Sequence, residues 1–129
     1  MIVAIRTDKP DAELYLANNT KIIAEYTWQA HRQLADSIHL KIADLLQSQN
    51  VDWRDISGII VYKGPGSFTG LRIGATVANT LAYSLSVSIV GTTGETWLEH
   101  GLAKLMQCDS VKIIISEYGG TIHITNQIK

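Results

Sequence analysis

The chain has 129 residues, a formal net charge of −1 and one cysteine, with 46% hydrophobic against 18% charged residues. That size supports one domain, or one domain with a small appendage, and a core that needs no staples. Lys and Arg are scattered singly and balanced by Asp and Glu, which argues against direct nucleic-acid binding; the lone Cys108 excludes an internal disulfide framework and fits a small core residue in a reducing cytosol.

Residues 2–5 are β-branched or small and read as a first strand that is too short for a signal peptide, so a cytoplasmic location is expected. "TDKPD" (7–11) is a turn. Residues 13–17 and 21–26 flank "NNT" at 18–20, a hairpin signal because Asn tolerates positive φ. A helix is expected over about 28–49, its apolar stripe formed by Leu34, Ile38, Ile42, Leu45 and Leu46. After a connector at 50–57, "GIIVY" (58–62) reads as a buried strand and the glycine loop leads into a second helix over about 69–85. "SVSIVG" (86–91) is another strand, and Thr92 or Thr93 is placed to cap a third helix reaching about 106. Residues 111–116 and 121–125, joined by "EYGG", form a second hairpin. The order implies an α/β fold, a mixed sheet with flanking helices. The expected division is a domain over 1–106 and a C-terminal β-hairpin appendage over 107–129.

Between Ile73 and Gly94 there is no Asp, Glu, Lys or Arg. Gly74, Thr76, Asn79, Thr80 and three serines interrupt this run, so burial within or between proteins is expected rather than a membrane span.

The loop "GPGSFTG" invites comparison with phosphate-binding motifs. A Walker loop has four residues between its glycines and then Lys; here five separate Gly64 from Gly70, and Leu71 stands at the Lys position. Gly64, Gly66 and Gly70 also carry one residue too many for G-x-G-x-x-G. Two readings stay open: backbone N–H groups near Gly66 and Ser67 holding an anion at the helix start, or Gly64 and Gly66 supplying turn conformations with Thr69 as cap.

Gly70, Gly74, Ala78 and Ala82 repeat every four residues and make a flat ridge along the second helix. Such a ridge lets another helix come close, either the first helix of the same chain or a partner. Other chemistry finds little support. His31 and His39 are about two turns plus 80° apart on one helix, and His100 and His123 have no ligand neighbours at metal spacing. Ser67 lacks the G-x-S-x-G elbow, and Trp28, Trp53 and Trp97 are dispersed. No catalytic residue, metal or cofactor is expected.

"GPGSFTGLRIG" (64–74), with "AHRQLADSI" (30–38) and "VANTLAYSLSVSIVGTTGETWLEHGLA" (77–103), resembles the TsaB (YeaZ) family over about residues 1–104. The resemblance implies an actin-like, ribonuclease-H-type half. It also implies a non-catalytic subunit in the making of threonylcarbamoyladenosine in tRNA, acting with the TsaD transferase and a TsaE ATPase. The family's first two helices form the contact with TsaD or with a second copy, and carry-over places it at His31, Leu34, Ala35, Ile38, Gly70, Leu71, Gly74, Ala75, Ala78 and Ala82. The chain departs from the family twice. "IRT" at 5–7 stands where the family reads "IDT", and Arg6 cannot ligate a cation. The second domain is represented only by the terminal hairpin. Two alternatives remain: a nucleotide-binding or glycoprotease-like enzyme using the Gly64–Gly70 loop, and a self-associating homodimer. No membrane contact is expected.

Overall fold

The computed structural model describes residues 1–30 and 33–107. Its first three strands are β1 (Ile2–Arg6), β2 (Asp11–Asn18) and β3 (Lys21–Gln29). They are followed by α1 (Leu34–Ser48), a short 3-10 turn (Trp53–Asp55), β4 (Gly58–Tyr62), α2 (Phe68–Leu85), β5 (Ser88–Thr92) and α3 (Trp97–Met106). The five strands form one sheet in the order β3-β2-β1-β4-β5. The β1–β2 and β2–β3 pairs are antiparallel, while β1–β4 and β4–β5 are parallel. This is the mixed sheet expected from a hairpin entering a β-α-β-α-β run.

Alternation along the strands sorts side chains to two faces. Val3, Ile5, Leu14, Leu16, Ile59 and Val61 point toward α1 and α2 and build the larger core with Ile38, Ile42 and Leu46. Ile2, Ala4, Ile60 and Val90 point the other way, where Trp97 and Leu102 of α3 cover them. Parallel strands covered on both faces read as continuous apolar runs, and all five residues of β4 are buried.

Three boundaries differ from expectation. Trp28 lies in β3 rather than α1: it pairs with Ala12 across the hairpin, and its indole Nε1 donates to Ser37 Oγ at 3.2 Å. Cross-strand pairing therefore carries the chain to Gln29, and the helix begins only where the apolar stripe does, at Leu34. Thr92 stays in β5, its hydroxyl donating to the Trp97 carbonyl at 2.7 Å. Gly94 turns at φ 84, so Thr96 rather than Thr92 or Thr93 is the N-cap of α3. Finally, Ser67 rather than Thr69 is the N-cap of α2, and its side chain makes no capping bond. The "NNT" turn is as expected, with Asn19 at φ 58. The hairpin expected over 111–125 lies outside the described residues.

Candidate functional site: the face of the first two helices

Helix α2 leaves the sheet through the glycine loop, and the loop's sequence is explained by what lies beneath it. Gly64 has φ 114, a conformation that L side chains rarely adopt. Gly66 has no such requirement; a Cβ there would lie 2.6 Å from Asp8 Cβ. Further along, a Cβ at Gly70 would overlap the Thr7 carbonyl, and one at Gly74 would overlap the Thr7 hydroxyl. Thr7 Oγ1 donates to the Gly70 carbonyl at 2.7 Å. Together these contacts seat the start of α2 directly on the end of β1.

The small-residue ridge therefore faces the chain's own sheet. Ala78 and Ala82 continue it inward, both buried. The ridge was expected to let another helix come close, from the same chain or from a partner; at Gly70 and Gly74 its small residues accommodate Thr7 at the end of β1. Leu34 and Ile38 are likewise buried, holding α1 on the sheet, and Leu71 and Ala75 are buried beneath α2. Of the ten residues expected at a contact, Ala35 is exposed and Gly70 is half-buried. His31 lies outside the described residues. Ser67 and Thr69 are exposed at the start of α2.

What the two helices present outward is a different set. Ala35 of α1 joins Phe68, Thr69, Arg72, Ile73, Thr76 and Val77 of α2 around a groove of about 410 Å³. Its surface is mainly apolar. Phe68 is 54% exposed, large for an aromatic residue, and the Arg72 guanidinium lies 6.0 Å from its ring centroid. Four-residue spacing marks this face too: Phe68, Arg72, Thr76 and Thr80 are the outward series, a signal the ridge of glycines and alanines overshadowed. A second depression of about 500 Å³ between β3 and α1 is more polar. Its Trp28 and Lys41 are engaged, Trp28 with Ser37 and Lys41 with the Tyr26 hydroxyl.

At the other end of the loop, Arg6 is committed to partners within the chain. Its Nε and Nη2 donate to the two Asp8 carboxylate oxygens at 2.7 and 3.2 Å, and its guanidinium stacks 3.9 Å above the Tyr62 ring. Burial pulls the Arg6 pKa down, but the hydrogen bond to Asp8 and its charge outweigh this and leave it raised. Nearby, Tyr15 donates to Glu13 at 2.7 Å, and burial followed by that bond pushes its hydroxyl well above the usual tyrosine range. Among the described residues, no group of three His, Cys, Asp or Glu is placed to hold a metal ion. His39 and His100 are exposed on separate helices, while Cys108 and His123 lie outside the described residues. No helix among the described residues is long and apolar enough to cross a membrane.

Among the described residues, a mixed five-stranded sheet with helices on both faces makes an α/β domain consistent with an actin-like, ribonuclease-H-like fold. The structure of YeaZ from Pseudomonas aeruginosa shares this fold, with a TM-score of 0.66 at 24% identity over 71% of this chain and 43% of that one. The family model for TsaD, tRNA N6-adenosine threonylcarbamoyltransferase, matches residues 21–98. The TsaB protein of Bacillus subtilis (strain 168), described as a tRNA threonylcarbamoyladenosine biosynthesis protein, is 38% identical over 88 residues, covering 68% of this chain and 38% of that protein. The tRNA N6-adenosine threonylcarbamoyltransferase of Clostridioides difficile (strain 630) is 29% identical over 101 residues, covering 74% of this chain and 28% of that one. The chain belongs to this family, on its TsaB/YeaZ branch. It spans less than half the length of these relatives.

Proposed function

We propose that this chain is a docking subunit in tRNA threonylcarbamoyladenosine biosynthesis. It binds a TsaD-like transferase through the groove between α1 and α2 and contributes no catalytic group of its own. The observation that carries this reading is the groove itself, an apolar surface with an exposed aromatic at its mouth. Aromatic residues, Phe among them, and Arg are enriched at protein interfaces, and the mouth of the groove presents one of each, Phe68 and Arg72. The relatives support the choice of occupant, since TsaB and TsaD proteins carry the same biosynthesis in their names. The pairing of Arg6 with Asp8 supports the non-catalytic part, because the carboxylate at the end of β1 is already neutralised by a fixed cation. A TsaE-like ATPase is a further partner in this proposal.

Size-exclusion chromatography of this chain mixed with the TsaD homologue of the same cell tests the reading. Co-elution at micromolar concentration is expected. Separate elution of two folded proteins would overturn it. If light scattering instead finds the chain alone as a dimer that Phe68→Ala dissociates, the groove serves a second copy of itself.

A further inference from the structure

Beside the exposed groove lies a cluster that does not line it. Arg6 sits between Asp8, which it holds through two hydrogen bonds, and Tyr62, on whose ring it stacks. Both of these neighbours touch the glycine loop. The Tyr62 hydroxyl donates to the Pro65 carbonyl at 2.9 Å. Asp8 Cβ packs against Gly66 so closely that no side chain fits there. Arg6 thus braces the loop at Pro65 and at Gly66 from one guanidinium. The next residues are Ser67, the N-cap of α2, and Phe68, its first residue. Thr7, between Arg6 and Asp8, carries the seat of Gly70 and Gly74.

We propose that Arg6 is a positioning residue for the docking face: clamped between Asp8 and Tyr62, it fixes the loop at 64–67 and so sets where Phe68 and Arg72 stand at the mouth of the groove. The inference rests on the docking role proposed above, and it assigns to Arg6 a part that cation binding or catalysis would not need. The chemistry suits the task. A planar guanidinium makes a fork with a carboxylate while its face stacks on an aromatic ring, and an ammonium does neither as well. The side chain of Arg6 is 17% exposed and that of Asp8 8%, so the pair is shielded from the screening that weakens surface ion pairs.

The test has two readouts, taken on wild type, Arg6→Ala, Arg6→Lys and Asp8→Asn. The first needs no partner: amide hydrogen exchange, which reports local opening. Exchange at residues 64–72 is expected to rise about tenfold in Arg6→Ala, with α1 and β3 unchanged, and to be only partly restored by Lys. The second is affinity for the TsaD homologue, expected to fall about tenfold in Arg6→Ala, a loss near 1.4 kcal/mol. Unchanged exchange at 64–72, or unchanged affinity in Arg6→Ala, overturns the proposal. Should Arg6→Ala fail to fold, Asp8→Asn decides by the same criteria, since it keeps the shape of the side chain and removes the charge. Failure of the wild type to bind the transferase would overturn the docking role instead, and the exchange readout would still decide whether Arg6 holds the loop.

Discussion

A leucine at position 74 would collide with the Thr7 side chain, and even an alanine at position 70 would press on the Thr7 carbonyl. Both substitutions are therefore expected to lower the stability of the isolated chain, by about 1–3 kcal/mol or more where the obstacle is backbone. Thermal unfolding checks this, and unchanged melting in Gly74→Leu would show that α2 does not rest on β1 as described. Tyr15 supplies a pH-dependent prediction. Its hydroxyl titrates higher in the folded chain than the ordinary value near 10, so the protonated form is favoured by folding. That contribution is complete below about pH 10 and is lost as pH rises through the folded pKa. Denaturant unfolding at pH 8 and pH 11 should show a larger loss for wild type than for Tyr15→Phe. Equal losses would mean that the Tyr15 hydroxyl is not buried beside Glu13 as described.

At the scale of elements, the two faces of α1 should respond differently. Ile38 is fully buried, so Ile38→Ala is expected to cost about 2–5 kcal/mol of stability. His39, its exposed neighbour, should stay within about 0.5 kcal/mol when changed to Ala. The same periodicity made this helix legible in the sequence: Leu34, Ile38, Ile42, Leu45 and Leu46 are the buried stripe. The first hairpin was legible through Asn19, and β4 through its unbroken apolar run. The end of β3 was not, because Trp28 and Gln29 carry no helix-breaking signal and only pairing with β2 holds them extended. The contact between α2 and Thr7 was not legible for a related reason. A row of small residues says that something approaches closely, but a strand of the same chain and a helix of another satisfy it equally. Thr7 is more than sixty residues away in sequence from the glycine it meets, and no local pattern reports that contact. The outward series from Phe68 to Thr80 was readable and points to the groove.

At the scale of the whole molecule, the chain is a sheet with one face closed by α3 and the other by α1 and α2, and the apolar groove lies outside the second pair. Everything inward of that groove, from the Gly70–Thr7 seat to the Ile38 core, holds the two helices in place. Arg72, Thr76 and Ala35 stand exposed around the groove, while Val77 at its floor also belongs to the core. Ala35 is the sharpest probe, since it is exposed and small: an arginine there fills the groove without disturbing the core. The most direct measurement is calorimetric titration of the TsaD homologue into wild type, Ala35→Arg and Phe68→Ala, each first shown to melt like wild type. Saturable binding by wild type, weakened at least about tenfold in both variants, is the expected result. Wild-type affinity in both variants, or no binding by a folded wild-type chain, would contradict the assignment of this groove as the docking site.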